Sequence, residues 1–388
     1  MPRGLRVSFQ RARNLFAEPA SFALAGSNAE LYPGEGAATG FIPEPGFWAF
    51  GAFNDGGTIT VTRDGGGFGT KVNAKPMYLW DARTGTVASS PLSRHAFTPN
   101  NFLPKTFDTS FGLNGRGTLR AALRPPPGGT GGDAYRVDEA TAFGFFDMTL
   151  DGGPPPRITI FNRTYRNWGG RQAYQKVQQF RALGLPDNII REWNIKDSRW
   201  YAGTSGTSQN NMWYGYGQQN SDAGNPRFSW ERMGTSATSR DLPGMIPNAW
   251  RTDYAVMQQS SGPDVFDSFI KVMQNDRYGE VLNRRSRNAQ YPGEHRRLAS
   301  IQYQFIYTDE DWFDWWDIFY LDDTGHAALL TDGEWGAPGT KYEICIPVAW
   351  ADDAVQLNLR SGEWGTTSGK TLWIIRDDGT RYKALRII

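Results

Sequence analysis

Apolar and polar residues alternate with a period of two along much of the chain. The clearest run spans residues 298–307, where Ile301, Tyr303, Phe305 and Tyr307 occupy alternate positions with two glutamines between them. Successive side chains of a strand point to opposite faces of a sheet. The run therefore predicts a half-buried β-strand that carries these four side chains on its core face.

A second pattern, WFDWWDIFYLDD at residues 312–323, follows almost directly. It holds many large aromatic rings, each of which buries on the order of 150–250 Å² in a folded protein. Rings at this density cannot all remain in water. The stretch therefore predicts a segment that enters the main core, and we expect the surrounding sheet to be organised around it.

Further runs of β-branched, aliphatic and aromatic residues, separated by Gly, Pro, Asn and Asp, predict many more strands. They are Thr58–Thr62, Ala142–Leu150, Ile158–Arg166, Gln175–Leu183, Ile189–Lys196, Met212–Gln218, Pro226–Met233, Trp250–Gln258, Ser268–Gln274, Tyr342–Ile346, Val355–Leu359, Thr371–Ile375 and Arg381–Ile388. Tyr174, Val177 and Phe180 also have helix-like spacing, but a strand is the preferred interpretation there. So many short strands predict an all-β sandwich or barrel.

The composition supports this prediction. The 388 residues include 45 glycines and 23 prolines, and 14% of all residues are aromatic, which favours strands joined by turns over helical bundles. Forty-one basic and 40 acidic residues give a net charge of +1, so no global field favours nucleic acid or an anionic membrane as a partner. The single Cys345 excludes an intramolecular disulfide, and its apolar neighbours predict that it is buried.

Three stretches of the large central region share features with one known fold. Residues 250–256 (WRTDYAV), 267–275 (DSFIKVMQN) and 316–323 (WDIFYLDD) resemble the late strands of a concanavalin A-like jelly roll. That sandwich occurs in many lectins, carbohydrate-binding modules and polysaccharide lyases. The resemblance implies an antiparallel jelly-roll sandwich over residues 77–324 and a carbohydrate as the expected class of ligand.

A second resemblance concerns both ends of the chain. Residues 57–69 (GTITVTRDGGGFG) are similar to the opening strands of the IPT/TIG immunoglobulin-like fold, and residues 346–350, 355–359 and 372–379 resemble its closing half. Neither half alone supplies enough strands to bury a core. We therefore expect one smaller Ig-like β-sandwich, formed by residues 47–76 and 325–388 and split by the inserted jelly roll. Residues 1–46 are expected to form an arm or anchoring segment.

Aromatic rings stack on the apolar faces of sugars, and amide or charged groups beside them bind the hydroxyls. Residues of these types are concentrated between positions 193 and 232. The predicted glycan-binding residues are Trp193, Trp213, Tyr214, Tyr216, Gln218, Trp230 and Arg232.

Residues typical of catalysis are sparse. The three histidines are scattered and no GxSxG occurs, which argues against a histidine-based metal site or a serine nucleophile. The carboxylate pair of sandwich glycosidases and the usual strand motifs of jelly-roll lyases are also missing, so no catalytic residue is predicted and the chain is expected not to be an enzyme. Asp314 and Asp317 are weak candidates for calcium ligands, and no other cofactor is expected.

Lectin-like modules usually act outside cells, but the chain shows no export signal, no apolar segment that spans a bilayer and no disulfide framework. Virion proteins are made in the cytoplasm and released by lysis, so they can act outside cells without an export signal or disulfides. We therefore expect a phage decoration, spike or appendage protein, homo-oligomeric or particle-bound, whose N-terminal segment contacts other virion proteins. A glycan is a possible further partner. The alternatives are a polysaccharide lyase or other carbohydrate-active enzyme, and an extracellular bacterial surface or filament subunit.

Overall fold

The computed structural model describes residues 40–86, 88–96, 105–110, 112–121, 141–167, 175–183, 211–218, 227–229, 250–275, 277–284, 286–287, 294–302 and 313–388. The predicted strand at 189–196 and almost all of the predicted N-terminal arm lie outside these residues. Three strands, Gln175–Leu183, Asn211–Gln218 and Arg227–Ser229, are described through their backbone pairing.

Among the described residues, every regular element is a β-strand or a three-residue 3₁₀ turn. The strands are β1 (Phe41–Pro43), β2 (Phe47–Gly51), β3 (Thr58–Arg63), β4 (Tyr78–Asp81), β5 (Lys105–Asp108), β6 (Thr118–Ala121), β7 (Thr141–Asp147), β8 (Arg157–Asn167), β9 (Gln175–Leu183), β10 (Asn211–Gln218), β11 (Arg227–Ser229), β12 (Trp250–Gln258), β13 (Ser268–Gln274), β14 (Arg277–Arg284), β15 (Arg297–Gln302), β16 (Phe313–Asp322), β17 (Ala327–Thr331), β18 (Tyr342–Trp350), β19 (Ala354–Asn358), β20 (Thr371–Ile375) and β21 (Arg381–Ile387). Every described strand pair is antiparallel, which confirms the all-β, antiparallel prediction.

Most predicted strands match the structure, and the strand interpretation of β9 is confirmed over the helical alternative. Among the described strands, seven lie outside the predicted runs: β1, β2, β4, β5, β6, β14 and β17. β17 reads AALLT and all of its residues are buried, so it shows no alternation of apolar and polar positions. A strand buried on both faces loses the signal on which the prediction depended.

The chain divides into two compact units. The larger unit comprises Met77–Thr324, and the smaller unit comprises the residues up to Pro76 together with Gly325–Ile388. In the smaller unit β3 pairs with β19, with Ile59 opposite Leu357. This is the kind of pairing that a single domain split by an insertion requires.

The described residues of the smaller unit form eight strands in the order β1-β21-β20-β17-β18-β19-β3-β2. β1 and β2, at the two ends of this order, are joined by only three residues, so the two edges of the sheet lie next to each other. The sheet encloses a core that includes Phe41, Ile59, Val61 and Leu372. Cys345 belongs to this core, and its predicted burial is confirmed.

The predicted boundary of the N-terminal arm at residue 46 is wrong. β1 pairs with β21, where Phe41 lies opposite Ile387, and the Phe41 ring stacks on Phe53 at 5.1 Å. The Gly- and Pro-rich composition around residues 32–46 predicted a linker. Pro43 is compatible with β1 because this short strand lies at the end of the strand order, where its missing N–H breaks no internal ladder.

The larger unit contains two described sheets. The large sheet has the order β14-β13-β12-β8-β16-β6-β5, with β4 also paired to β16, and the small sheet has the order β11-β10-β9-β15-β7. Phe319 of the large sheet stacks on Phe146 of the small sheet at 4.9 Å, so the two sheets pack face to face. The face of the large sheet that carries Phe319 is called the inner face, and the opposite face is called the outer face. Ile160, Ala255 and Leu321 are buried side by side on the inner face.

Candidate functional site

Two clusters of polar and charged side chains lie at the centre of the large sheet. They occupy adjacent positions on β8 and β12, and adjacent residues of a strand point to opposite faces. One cluster therefore lies on the inner face and the other on the outer face. Buried charged groups are costly unless they are paired, so the partners of each cluster define what it can do.

The cluster on the inner face surrounds Asp253. In the strand register Asp253 lies opposite Asn162 of β8 and opposite Gln274 of β13. Its carboxylate accepts hydrogen bonds from Asn162 Nδ2 at 3.5 Å and from Gln274 Nε2 at 3.4 Å. Arg251 Nη2 lies 3.2 Å from Oδ2 and supplies the compensating charge. All four side chains are buried, so this cluster lies in the interior of the sandwich.

The cluster on the outer face surrounds Arg163. Its Nε donates to Thr252 Oγ1 at 3.0 Å, and its Nη1 donates to Asp317 Oδ2 at 3.2 Å. Arg116 Nη2 lies 3.4 Å from the other oxygen of Asp317. Asp317 occupies a bulge of β16, where the register shifts between Trp316 and Ile318. Such a bulge redirects a side chain, which here meets two arginines.

A row of three aromatic rings lies on the outer face beside the Arg163 cluster. Tyr165 is paired in register with Trp250 on one side and with Trp315 on the other. The Tyr165 ring centroid lies 5.7 Å from that of Trp250 and 5.6 Å from that of Trp315, with edge-to-face geometry in both contacts. Tyr165 and Trp250 are half-buried, so part of this row reaches solvent. We call these three residues the aromatic row.

The aromatic row and the Arg163 cluster together combine apolar ring surface with fixed hydrogen-bonding groups. Tyr165 follows Arg163 by two residues on β8, so both lie on the same face of the sheet. Rings that are locked by neighbouring rings lose little rotamer freedom when a ligand stacks on them. This arrangement suits the binding of a sugar, whose ring has apolar faces and a polar rim.

The predicted glycan-binding residues have a different location. Trp213, Tyr214, Tyr216 and Gln218 lie on β10 of the small sheet, whereas Trp193, Trp230 and Arg232 lie outside the described residues. In the register, Trp213 is opposite Arg181 and Tyr214 is opposite Phe180. Tyr214 and Tyr216 occupy alternate positions along β10, and Trp213 occupies the position before them.

The candidate calcium ligands also have defined positions. Asp314 and Asp317 both belong to β16. The carboxylate of Asp317 contacts the guanidinium groups of Arg163 and Arg116, which would repel a cation. In the part of the chain that the structure describes, no three His, Cys, Asp or Glu residues are grouped so as to hold a metal ion. The contacts assign Asp317 to an ion pair and not to a calcium site.

Two of the three histidines, His95 and His326, are held in structural contacts. His95 Nε2 lies 3.0 Å from Asp151 Oδ2, and the neighbouring Arg94 contacts both Asp151 and Asp323 at 3.0 and 2.8 Å. These ion pairs tie the segment after β4 to the β7–β8 loop and to the end of the aromatic stretch. His326 is buried in the smaller unit, and its ring lies edge-to-face against Trp350 at 5.2 Å.

The glycine-rich loop at residues 64–69 lies beside a cavity of about 560 Å³ in the smaller unit. Its backbone amides contact Asp352, because Gly69 N–H donates to Oδ1 at 2.8 Å and Phe68 N–H donates to the main-chain oxygen at 2.8 Å. A phosphate-binding loop needs such amides to point at the ligand. Here a carboxylate of the same chain accepts from the loop.

Sequence reasoning missed the two polar clusters. Arg163 and Asn162 lie within the predicted strand Ile158–Arg166, and Asp253 lies within the predicted strand Trp250–Gln258. The available signal was the presence of charged residues in the middle of strands, such as RITIFNRTYRN and WRTDYAVMQ. A charge at such a position is either exposed or paired in the interior, and only the register distinguishes these cases.

A scan against protein-family models finds no match to this sequence, and a search of curated proteins finds none either. Among solved structures, alginate lyase Aly36B is 12% identical over 53% of this chain and 80% of that chain, with a TM-score of 0.34. The binding domain of botulinum neurotoxin serotype C1 is 10% identical over 82% and 72% of the two chains, with a TM-score of 0.34. Lectin UEA-II complexed with galactose is 8% identical over 58% and 94%, with a TM-score of 0.31. At TM-scores below 0.5, such likenesses do not assign the chain to a family.

Proposed function

We propose that this chain is a non-enzymatic structural protein whose larger unit, a jelly roll, presents a carbohydrate-binding surface. The observation that carries the proposal is the aromatic row of Tyr165, Trp250 and Trp315 beside the Arg163 cluster. A carbohydrate would stack on the exposed part of the rings, and Arg116, the partly exposed member of the cluster, would donate to its hydroxyls.

The internal pairing of charges supports a rigid, non-catalytic surface. The carboxylate of Asp253 accepts from two amides and pairs with Arg251, and Asp317 contacts Arg163 and Arg116. General acid–base catalysis needs a group that is free to exchange a proton with the substrate. Carboxylates held by arginines inside a sheet suit positioning and rigidity better than proton transfer.

The proposal includes display on a virus particle, as a decoration, spike or appendage protein held through its N-terminal segment. It treats the smaller unit as one Ig-like domain interrupted by the jelly roll, which the β3–β19 pairing supports. The test is to purify particles from a lysate of the producing host and to search their protein content for this chain. Absence from purified particles, with presence in the soluble fraction, would overturn the virion part of the proposal.

Glycan binding is tested with the full chain on a glycan array, followed by titration of the strongest ligand. We expect Trp250→Ala to weaken binding at least tenfold, because a stacked ring in a binding surface commonly contributes about 2 kcal/mol or more. Trp213→Ala and Tyr216→Ala test β10 as the alternative surface. Trp335→Ala is the matched control, since Trp335 is a half-buried tryptophan of the smaller unit.

The results separate three outcomes. Loss of binding in Trp250→Ala with a retained fold supports the aromatic row. Loss of glycan binding only in the β10 variants would assign the binding surface to the small sheet. The absence of binding to any glycan, for a protein shown to be folded by circular dichroism, overturns the carbohydrate proposal.

One observation favours a second function, that of a polysaccharide lyase. Arg251, Asn162 and Gln274 converge on one face of the large sheet, and lyases of this fold use arginine and amide side chains to neutralise a uronate carboxylate. The test is the absorbance of unsaturated products when the chain is incubated with acidic polysaccharides. Rising absorbance that is abolished by Arg251→Ala would replace the non-enzymatic proposal with the lyase.

A further inference from the structure

The cavity of about 560 Å³ in the smaller unit is bounded by two short segments of the chain. Its walls include residues 62–66, where β3 runs into the glycine-rich loop, and residues 352–354, at the turn between β18 and β19. Small-molecule sites commonly have volumes of about 300–1,000 Å³. The cavity is therefore large enough for an organic ligand or for a side chain of a partner.

Hydrogen bonds of the main chain hold these two segments together. Ala351 N–H donates to the Ala354 carbonyl at 2.8 Å, which closes a tight turn whose two central residues are Asp352 and Asp353. Arg63 N–H donates to the Asp353 carbonyl at 3.0 Å, and the glycine-rich loop donates to Asp352 as described above. A site whose walls are already fixed loses less free energy to ordering when a ligand binds.

The lining of the cavity is mainly acidic. Its three carboxylates belong to the exposed residues Asp64, Asp352 and Asp353. Its one basic residue is Arg63, whose Nη1 donates to the Gly66 carbonyl and whose guanidinium carbon lies 4.3 Å from the ring centroid of Tyr382. Three acidic groups against one basic group give the lining a net negative charge, which favours a cation as the ligand.

Thr62 supplies a buried hydroxyl at the wall of this cavity. Ile59 and Val61 of β3 face the core, so the alternation of the strand turns Thr62 to the opposite face. There it lies opposite Ala354 in the register, and both residues line the cavity. Thr62 is only 7% exposed, and in the part of the chain that the structure describes its Oγ1 has no hydrogen-bond partner. A buried hydroxyl without a partner is costly, and a ligand in the cavity would remove this cost.

The arrangement of acceptors distinguishes between kinds of cation. A calcium ion needs six to eight oxygen ligands at about 2.3–2.6 Å, and within the described ranges no three acidic, histidine or cysteine residues are grouped to hold a metal. The carboxylates lie on two different loops and need a cation that reaches several separate acceptors. A guanidinium group does so, because it is planar, carries five N–H donors and is weakly hydrated.

We propose that this cavity binds a ligand through a guanidinium group, with the Asp353 carboxylate and Thr62 Oγ1 as acceptors. The Asp353 side chain makes no hydrogen bond or ion pair within the described residues, so its carboxylate is available to a ligand. The guanidinium belongs either to a free small molecule or to an arginine side chain of a protein partner, since both present the same chemistry. The site lies in the smaller unit and is independent of the proposed glycan surface.

The test is ligand-observed NMR titration of the full chain with Nα-acetyl-arginine amide. We expect a dissociation constant of roughly 1 mM or lower, the range for a ligand of this size. Nα-acetyl-citrulline amide has the same shape without the charge and is expected to bind at least about tenfold more weakly. Agmatine, which lacks the peptide-like end, is the third probe. Tighter binding of agmatine assigns the site to a free molecule, and tighter binding of the arginine derivative assigns it to a protein side chain.

Two variants test the proposed acceptors. Asp353→Asn removes an exposed charge and is expected to weaken binding about tenfold. Thr62→Val removes the hydroxyl at nearly constant volume and is expected to weaken binding about threefold or more without lowering the melting temperature. Asp332→Asn is the matched control, because Asp332 is an exposed aspartate before the other end of β18, and it is expected to leave binding unchanged.

Each remaining result counts against the proposal. Failure of both the arginine derivative and agmatine to bind at about 10 mM overturns it, and so does equal binding of the citrulline derivative. Binding that is insensitive to Asp353→Asn places the ligand elsewhere. Calcium binding that Asp353→Asn abolishes, without binding of either guanidinium probe, replaces the proposal with a metal site. A lower melting temperature of Thr62→Val shows that the hydroxyl serves the fold and removes Thr62 from the site.

Discussion

Arg163 and Asp317 form an ion pair in the larger unit, with Nη1 and Oδ2 3.2 Å apart and with only 1% and 0% of the two side chains exposed. Arg163 also donates to Thr252 Oγ1, and Asp317 contacts the partly exposed Arg116. Taking two charges out of water is costly, and the pair is tolerated because each charge has fixed partners. The ion pair therefore links β8, β12 and β16 at the centre of the large sheet.

Removing one partner of this pair is expected to destabilise the larger unit strongly. Arg163→Met leaves Asp317 buried beside only one arginine, and a buried charge without its main partner costs roughly 3–5 kcal/mol. Arg116→Met is expected to cost less, because Arg116 keeps contact with solvent. Urea denaturation followed by tryptophan fluorescence measures both changes. Equal costs for the two variants would contradict the dominant role of Arg163.

The smaller unit contains two ion pairs with the same separation, one buried and one exposed. Glu343 and Arg360 lie 3.3 Å apart with both side chains fully buried, whereas Lys341 and Glu363 lie 3.3 Å apart at the surface. Glu343→Gln is expected to cost about 3 kcal/mol or more because it leaves a buried guanidinium without its counter-charge. Glu363→Gln is expected to cost less than about 1 kcal/mol, since exposed ion pairs contribute little.

Thermal unfolding of the two variants checks this prediction at low and high salt. The cost of Glu363→Gln should shrink further in high salt, because exposed pairs are screened. Similar costs for both glutamates would show that burial does not govern the strength of these pairs.

Two adjacent glycines in the turn between β2 and β3 allow the cost of steric overlap to be compared with the cost of backbone strain. A methyl group at Gly57 would overlap the carbonyl oxygen of Ala52, whereas one at the adjacent Gly56 would meet nothing. Gly56, however, has a φ of +78°, which disfavours alanine. We expect Gly56→Ala to cost about 1–2 kcal/mol through strain and Gly57→Ala to cost roughly 3 kcal/mol through overlap with rigid backbone. The free energies of unfolding of the two variants test this order, and a larger cost for Gly56→Ala than for Gly57→Ala would contradict it.

Acid is expected to destabilise the smaller unit through His326. Burial lowers the pKa of His326 from its ordinary value of about 6.5, with Asp377 acting in the opposite direction and Lys71 and Arg376 adding to the decrease. Between the lowered pKa and 6.5, the unfolded chain binds more protons than the folded chain. Stability from this group is therefore complete above pH 6.5 and is lost as the pH falls through the folded pKa.

The measurement compares thermal unfolding of the original chain and His326→Gln from pH 7.5 to pH 5. The original chain should lose more stability than the variant over this interval, because glutamine does not titrate. His95→Gln in the larger unit is the control. If the stability of the original chain and of His326→Gln falls in parallel with pH, His326 does not cause the loss of stability in acid.

The proposed glycan site shows which part of a binding surface the sequence does not predict. The sequence correctly indicated that aromatic residues lie on strands, and Trp213 and Tyr216 do lie on β10. The aromatic row instead takes Tyr165, Trp250 and Trp315 from three strands that are far apart in the chain. Their proximity depends on which strands pair and in which register, and no local pattern contains that information.

What the sequence by itself determined is the local character of the chain. Alternation with a period of two, bounded by turn residues, predicted β12, β13 and β20 with the bounds that the structure shows. This succeeds because the period of a strand and the preferences of turn residues are properties of neighbouring residues.

The tertiary structure alone decided what each face of these strands does. It paired β3 with β19, which are separated in the sequence by all residues of the larger unit. It also buried Asp253 and Asp317 among arginines and amides, and it left β14 at the end of a sheet. These outcomes depend on contacts between residues that are distant in sequence. The free energy of a buried charge is set by the partners that the fold brings to it, and those partners lie on other strands.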